Sequence, residues 1–273
     1  MAVTPPSGTD PDGERSGLIL RGIAVRFGGL VALDDVSMRV APGSVVGVIG
    51  PNGAGKTTLF NVVCGFVRPR SGGMTWSGAP LRPRPHRLAR LGIARTLQGV
   101  GLFDGLTVLE NVMVGATASA RTGFGANLLA APRADRDERE LRRAAVECLS
   151  ELGVADTAAR RPDSLPYAVR KRVALARALV SRPRLLMLDE PAGGLGAEDI
   201  DELATLIRTL PSTSDGGRAV MLVEHHMDLV TRVCDHIVVL DFGRVIAAGT
   251  PEEIRDDPAV ADAYLGTAAE AAS

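Results

Sequence analysis

Hydrophobic and polar residues alternate over the first long stretch of the chain, from Leu18 to Val40, with a break at Gly28-Gly29. Alternation with a period of two is typical of strands that bury one face, so this stretch predicts an antiparallel pair of strands. Mostly apolar runs of four to six residues indicate further, buried strands. These runs lie at 44–49, 184–188, 219–223 and 237–240. Residues 241–243, Asp-Phe-Gly, predict a hairpin turn into a last strand at 244–248.

Apolar residues recur every three to four positions in the segments between these strands, which predicts amphipathic helices. The segment Lys56–Phe66 shows this spacing, and so does the short tail at 251–265. From about residue 82 to 165 proline and arginine become frequent, and two long segments, Leu106–Ala120 and Ala134–Leu152, follow one another. We therefore expect an all-helical insertion over residues 82–165.

The most specific chemical signal lies between the strand at 44–49 and the helix that begins at Lys56. Its residues follow the pattern G-x-x-x-x-G-K-[ST], in which glycines let successive backbone N–H groups point at an anion beside a helix N-terminus. The lysine would neutralise the β- and γ-phosphates, and the hydroxyl of Thr57 would ligate Mg²⁺. The loop predicts binding of a nucleoside triphosphate by Gly50, Pro51, Asn52, Gly53, Ala54, Gly55, Lys56, Thr57 and Thr58.

A second signal is the acidic pair Asp189-Glu190, which follows the apolar run Leu185–Leu188. Such a pair lies at the carboxyl edge of a parallel sheet, where the phosphate loop also lies. Asp189 is suited to the Mg²⁺ shell and Glu190 to polarising the attacking water, because phosphoryl transfer depends on positioning and charge neutralisation. Together the two signals predict an α/β fold that hydrolyses a nucleotide.

Composition narrows the class of protein. The 273 residues include 45% hydrophobic ones, enough for a large core, and the net charge of −1 gives no electrostatic reason to expect nucleic acid as a partner. Three dispersed cysteines suggest buried thiols in a reducing compartment. No apolar run reaches the roughly 18–20 residues of a membrane helix, and no signal peptide is visible. Residues 1–17 are expected to be a disordered tail, and 268–273 a second tail.

With these motifs in place, residues 18–267 resemble the ATP-binding subunit of an ABC transporter. The resemblance implies a phosphate-loop (RecA-like) α/β core with an antiparallel β subdomain and an inserted α-helical subdomain, and ATP and Mg²⁺ as cofactors. It also implies that Phe27 stacks on adenine, although a core phenylalanine is an alternative. Gln98 would contact Mg²⁺ and water, and His225 would contact the γ-phosphate. Gly193–Gly196 matches the loop by which two such subunits meet.

The signature position of that family falls on Leu165, Pro166, Tyr167, Ala168 and Val169. In the family, Leu-Ser-Gly-Gly-Gln offers a hydroxyl, backbone N–H groups and a helix N-terminus to the γ-phosphate bound on the opposite subunit. Here Pro166 supplies neither hydroxyl nor N–H, and Ala168 and Val169 replace the second glycine and the glutamine. The departure predicts a heterodimer with a second, related ATPase subunit, while a homodimer stays open.

Three groups of residues resemble the branched-chain amino acid importers within the family: 21–37; 92–98 with 102–103 and 106–112; and 224–230 with 248–254 and 263–266. This implies an ATPase that powers import of branched-chain or related hydrophobic amino acids through membrane permease subunits, fed indirectly by a substrate-binding protein. Gln98, Leu102 and Phe103 would face the permease, at the cytoplasmic face of the inner membrane. Importers of urea and short-chain amides share the pattern, and a soluble ABC ATPase without a transport role is a further alternative.

Overall fold

A computed structural model describes residues 17–96, 99–116, 132–213 and 217–270 of the chain. The chain divides into two compact units, Met1–Leu88 with Ile200–Ser273, and Ala89–Asp199. Among the described residues, no helix combines the length and the apolar character needed to cross a bilayer.

The strands and helices follow in chain order. The strands are β1 (Leu18–Phe27), β2 (Leu30–Val40), β3 (Val45–Ile49), β4 (Ser71–Trp76), β5 (Ala79–Pro80), β6 (Ile93–Arg95), β7 (Leu185–Asp189), β8 (Ala219–Val223), β9 (His236–Asp241) and β10 (Arg244–Gly249). The α-helices are α1 (Lys56–Val63), α2 (Val108–Ala116), α3 (Pro132–Glu151), α4 (Tyr167–Leu179), α5 (Ala197–Thr209), α6 (Met227–Val233), α7 (Pro251–Arg255) and α8 (Pro258–Glu270).

The first unit contains two groups of strands. One is an antiparallel sheet in the order β2-β1-β4-β5, in which Leu18 pairs with Val40 and Phe27 with Leu30, as the alternating pattern predicts. In the other, β3 lies between β8 and β9 and is parallel to both, and β10 returns antiparallel to β9. Every residue of β3 and β8 is buried, which explains their continuous apolar sequences.

Over its described residues, 89–96, 99–116 and 132–199, the second unit is helical except for one pair of strands. Helices α2, α3 and α4 pack on one another, and the apolar stripe of α3 is buried at Ala145, Cys148 and Leu149. The prediction of an all-helical insertion over residues 82–165 is wrong at β6, which pairs in parallel with β7. A strand of three residues is too short to show a periodicity in the sequence, so only its pairing identifies it.

Two helix boundaries also differ from the prediction. Helix α1 ends at Val63, because Gly65 adopts a left-handed conformation and the N–H groups of Gly65 and Phe66 bond back to Val62 and Asn61, as in a Schellman motif. Phe66 therefore lies outside the helix and is 64% exposed.

The predicted C-terminal helical segment is divided into α7 and α8, since Pro258 lacks the N–H that would continue a helix. Helix α8 continues to Glu270 and therefore includes the first residues of the tail predicted at 268–273. The tail predicted at 1–17 lies, apart from Gly17, outside the described residues.

The three cysteines, Cys64, Cys148 and Cys234, are free and buried, as predicted. Burial raises the pKa of the Cys234 thiol to about 12. These side chains therefore act as small apolar core groups at neutral pH.

Candidate functional site

The phosphate-loop residues lie between β3 and α1 in the first unit. Gly50 has φ 142° and its position admits no side chain, because a Cβ there would lie 2.0 Å from the backbone oxygen of Leu240. Gly55 caps α1 with φ 104°, and a Cβ there would lie 2.6 Å from the oxygen of Ala32. Both glycines let the loop turn tightly against its neighbours and lead directly into the N-terminus of α1.

Lys56 is folded back into this loop. Its Nζ donates to the backbone oxygens of Gly50 at 2.6 Å and Pro51 at 2.8 Å, and the residue is only 9% exposed. Thr57, the next residue, is exposed in the first turn of α1. The loop therefore holds an ammonium group at its centre and a hydroxyl at its rim, which is the arrangement that a phosphate and its cation require.

The turn between β9 and β10 supports the loop from outside. The N–H of Gly243 donates to the oxygen of Ala54 at 3.0 Å, and the N–H of Asp34 donates to the oxygen of Gly243 at 2.8 Å. Arg244 and Asp34 form an ion pair at 2.6 Å beside this turn. The phosphate loop is thus connected by backbone hydrogen bonds to a turn almost 190 residues further along the chain, which stabilises its conformation.

The phenol of Tyr264 in α8 lies near the phosphate loop. Burial raises the pKa of this half-buried phenol, and the nearby backbone of Gly50 opposes that rise.

Phe27 ends β1 and is 51% exposed. The alternative that Phe27 is a core residue is therefore wrong, and its ring has the exposed face that stacking on a base requires.

His225 follows β8, and its position is set by Glu224. The Glu224 carboxylate is fully buried and accepts the backbone N–H groups of His225 at 2.9 Å and His226 at 3.3 Å. His226 Nδ1 lies 3.0 Å from the same oxygen, while the His225 ring is 54% exposed. The carboxylate holds the turn and leaves the His225 side chain accessible.

Sequence reasoning gave Glu224 and His226 no role. The signal was available for Glu224, since an acidic residue directly after a buried strand is the same feature that identified Asp189.

In the second unit, β7 ends in Asp189, whose carboxylate is 4% exposed and forms an ion pair with Arg95 at 2.6 Å. The N–H of Asp189 donates to the hydroxyl of Thr96 at 3.2 Å. Gln98, which the sequence predicts beside Mg²⁺, lies outside the described residues. Sequence reasoning also missed Arg95 as a functional residue, since its strand was not predicted.

Glu190 stands directly after β7 in a left-handed conformation with φ 47°, which is unfavourable for a residue other than glycine. Lys171 of α4 donates from Nζ to the Glu190 backbone oxygen at 3.1 Å, and so does the N–H of Gly193 at 3.2 Å. These two donors hold a strained peptide, a feature concentrated at functional sites. No local sequence signal points to Lys171.

The signature residues form the start of α4. Leu165 is buried, Pro166 is exposed and caps the helix with φ −54°, and Tyr167, Ala168 and Val169 make the first turn.

The ring of Tyr167 packs against Gly194, where a Cβ would lie 3.0 Å from it, and Lys171 lies 5.5 Å from the ring centroid. Within this unit the signature, the loop 193–196 and the Glu190 turn are therefore in mutual contact.

A glycine-rich loop joins a buried parallel strand to a helix, and the lysine at the start of that helix donates to the loop's backbone oxygens. This arrangement defines a phosphate-loop nucleotide-binding protein of the α/β class. Comparison with known proteins gives the family. The family model described as ABC transporter matches residues 33–193, and the model described as branched-chain amino acid ATP-binding cassette transporter matches residues 244–270. The chain belongs to the ABC transporter family, as a subunit that binds and hydrolyses ATP.

Individual relatives cover nearly the whole chain. The high-affinity branched-chain amino acid transport ATP-binding protein BraF of Pseudomonas aeruginosa is 43% identical over 92% of this chain and 98% of its own length. The corresponding protein LivG of Escherichia coli K12 is 40% identical over the same shares.

Among solved structures, a nucleotide-free ATP-binding cassette of an ABC transporter superposes with a TM-score of 0.78. It is 29% identical and the match covers 91% of this chain and 98% of that one. The ADP conformation of an ATP-binding cassette of an ABC transporter also gives 0.78, at 28% identity over 92% and 98%. These matches confirm the predicted fold class.

Proposed function

We propose that this chain is the ATPase subunit that powers import of branched-chain or related hydrophobic amino acids through a membrane permease. The observation that carries the proposal is the match of residues 244–270 to the branched-chain amino acid type, since this segment lies outside the general cassette match at 33–193. In the structure the same segment comprises β10, α7 and α8. Its first residue, Arg244, forms an ion pair with Asp34 beside the turn that is hydrogen-bonded to the phosphate loop. The subtype segment, residues 244–270, therefore begins next to the support of the nucleotide site.

The chemistry is assigned to residues whose geometry suits it. Lys56 exchanges its backbone carbonyls for the β- and γ-phosphates of ATP, because a charged acceptor makes a stronger hydrogen bond than a neutral one. Glu190, on its strained turn, polarises the attacking water. His225, exposed above the Glu224 carboxylate, contacts the γ-phosphate. The exposed ring of Phe27 stacks on adenine.

Mg²⁺ prefers carboxylate and hydroxyl oxygens together with phosphates, and Asp189 and Thr57 carry oxygens of these kinds. We assign Thr57 and Asp189 as its protein ligands, together with Gln98. When bound, the ion neutralises charge on the β- and γ-phosphate oxygens.

The permease is expected to dock on Leu102 and Phe103, which makes this chain a peripheral membrane protein. Phe103 is 52% exposed. The loop that carries it is fixed by hydrogen bonds to Asn111, whose side chain is fully buried. Asn111 accepts the N–H of Phe103 at 2.8 Å and donates to its oxygen at 3.0 Å. Arg177 donates to the oxygen of Gly101 at 2.7 Å, and its guanidinium lies 5.9 Å from the centroid of the Phe103 ring. These bonds fix the backbone that presents the Phe103 ring, and aromatic residues are enriched in protein interfaces.

The second partner is a related ATPase subunit. Pro166 caps α4 without a hydroxyl and is exposed where the opposite nucleotide is expected. The helix N-terminus remains available to that nucleotide through its dipole. We therefore propose a heterodimer in which this chain contributes the weaker signature.

Uptake measurements test the proposed function. Cells that lack this chain should lose uptake of radiolabelled leucine, isoleucine and valine, and the wild-type gene should restore it while Lys56→Ala should not. Uptake of labelled urea or acetamide serves as the control and should be unchanged. Loss of urea or amide uptake in place of leucine uptake would reassign the substrate, and unchanged uptake of all of them would contradict a transport role.

A further inference from the structure

The ion pair between Arg95 and Asp189 joins two strand ends that are 94 residues apart in the chain. Strands β6 and β7 are parallel with Arg95 opposite Met187, so the arginine reaches two residues along its neighbour to the carboxylate. Arg95 Nη2 lies 2.6 Å from Asp189 Oδ2, with side-chain exposures of 15% and 4%. This separation is that of a charge-assisted hydrogen bond.

Backbone hydrogen bonds fix the position of Arg95 against β7. The N–H of Thr96 donates to the oxygen of Met187 at 2.9 Å. The Thr96 hydroxyl in turn accepts the N–H of Asp189 at 3.2 Å. Arg95 is therefore carried by a segment that is hydrogen-bonded to β7 at Met187 and at Asp189, which reduces the entropy lost in forming the pair.

Burial makes a counter-charge necessary for Asp189. An ionised carboxylate removed from water is strongly destabilising unless it is paired and hydrogen-bonded. Arg95 supplies that charge when no other cation is present, and guanidinium remains charged at any physiological pH. In the metal-free protein the arginine thus holds the Asp189 carboxylate in place.

A divalent cation that binds Asp189 must approach the same carboxylate that Arg95 holds. We propose that Arg95 is a built-in counter-ion that competes with Mg²⁺ for Asp189 and thereby sets the affinity of the nucleotide site for the metal. The inference rests on the proposed assignment of Asp189 as a Mg²⁺ ligand. A cation that takes over the carboxylate oxygen must displace a charge-assisted hydrogen bond, which opposes its binding by about tenfold or more.

Two readouts test this inference on the full chain with Arg95→Gln. In a Mg²⁺ titration followed by a fluorescent ATP analogue, the half-saturating Mg²⁺ concentration should fall about tenfold. Without metal and nucleotide, the melting temperature of the variant should be lower than that of the wild type, because Asp189 has lost its counter-ion. Saturating Mg²⁺ with the analogue should raise the melting temperature more in the variant than in the wild type. The matched control is Arg90→Gln, an exposed arginine of the same unit, which should change neither value.

A half-saturating concentration that stays the same or rises in Arg95→Gln would overturn the inference, since Arg95 would then orient Asp189 for the metal. If that variant fails to fold, Arg95→Lys keeps the charge without the planar fork, and a smaller fall in the same direction is expected. A rise in Arg95→Lys would overturn the inference equally.

Asp189→Asn separates this inference from the proposed function. It should raise the half-saturating concentration, and failure to do so would overturn both the metal assignment and the role of Arg95. A rise in Asp189→Asn without a fall in Arg95→Gln would overturn the role of Arg95 alone.

Discussion

At the scale of residues, two lysines donate to backbone oxygens at the turns that carry the proposed chemistry. Lys56 bonds to Gly50 and Pro51, and Lys171 bonds to Glu190. The first ammonium group is positioned to exchange neutral acceptors for anionic phosphate, which strengthens its hydrogen bonds. The second stabilises a left-handed peptide that would otherwise cost of order 1–3 kcal/mol. One lysine therefore serves binding and the other serves the geometry of the catalytic turn.

Substitutions at Lys56 and Glu190 should separate binding from hydrolysis. Lys56→Ala removes a charged donor to phosphate, a loss of about 1.5–3 kcal/mol or roughly ten- to a hundredfold in ATP affinity, measured with a fluorescent analogue. Glu190→Gln should keep the affinity and slow phosphate release in the permease-coupled complex, since the amide does not polarise water as a carboxylate does. Near-normal turnover of Glu190→Gln would remove Glu190 from that role.

At the scale of elements, two helices begin with the same capping box. Thr107 and Glu110 exchange hydrogen bonds at the start of α2, and Thr250 and Glu253 do so at the start of α7. Each box satisfies two N–H groups that the first turn would otherwise leave without an acceptor. These contacts lower the pKa of Glu110, so its contribution to stability is present above its unfolded pKa and is lost as the pH falls through the folded value. The loop before α2 thus ends at a capped helix N-terminus, and the helical part of residues 244–270 begins at another.

Removing the Thr250 cap should destabilise the first unit. Thr250→Ala is expected to lower the free energy of unfolding by about 1 kcal/mol, within the range for loss of a capping side chain, as measured by urea denaturation. Thr250→Ser keeps an oxygen that can accept the Glu253 N–H and is the control. Equal stability of the alanine and wild-type proteins would show that the box contributes nothing here.

The loop held by Asn111 should couple this chain to its permease. Phe103→Asp places a charge in the proposed contact, so transport should be lost while the affinity for the ATP analogue stays within about twofold, because the loop is not among the phosphate-binding residues. Val146→Asp is the control, since Val146 is 41% exposed on α3 of the same unit. Normal transport by Phe103→Asp, or a cross-link from the permease to another surface, would refute the docking assignment.

At the scale of the whole molecule, the proposed chemistry is distributed over both units. The first carries the phosphate loop, Phe27 and His225, and the second carries Asp189, Glu190 and the signature. In the proposed dimer each nucleotide uses one subunit's phosphate loop and the other subunit's signature. A weak signature on this chain therefore affects the partner's nucleotide and leaves its own untouched.

The two ATP sites of the heterodimer should consequently be unequal. The site on this chain's Lys56 should hydrolyse ATP well. The opposite site has lost a donor to the γ-phosphate. Removal of one hydrogen-bond donor from an oxyanion hole typically raises the activation free energy by ~2.7–4 kcal/mol. Mutation of Lys56 should therefore remove most of the ATPase activity of the complex, and mutation of the partner's phosphate-loop lysine only a small part.

Restoring Ser, Gly and Gln at Pro166, Ala168 and Val169 should speed only the partner's site. Equal losses from the two lysine mutants would contradict the asymmetry. Full activity of a homodimer of this chain would contradict the weakened signature as well.

The local sequence determined the phosphate loop, the acidic pair after β7, the antiparallel start and most buried strands, because glycine spacing and hydrophobic period are properties of neighbouring residues. Resemblance to a family supplied the expected role of His225. Only the tertiary structure brought Arg95 to Asp189 and Lys171 to Glu190, exposed Phe27, and placed the carboxylate of Glu224 under His225. The physical reason is that these contacts join residues on different elements, or depend on what packs around them. A periodicity records which face of a segment is buried, whereas the partner on that face is decided when the elements pack together.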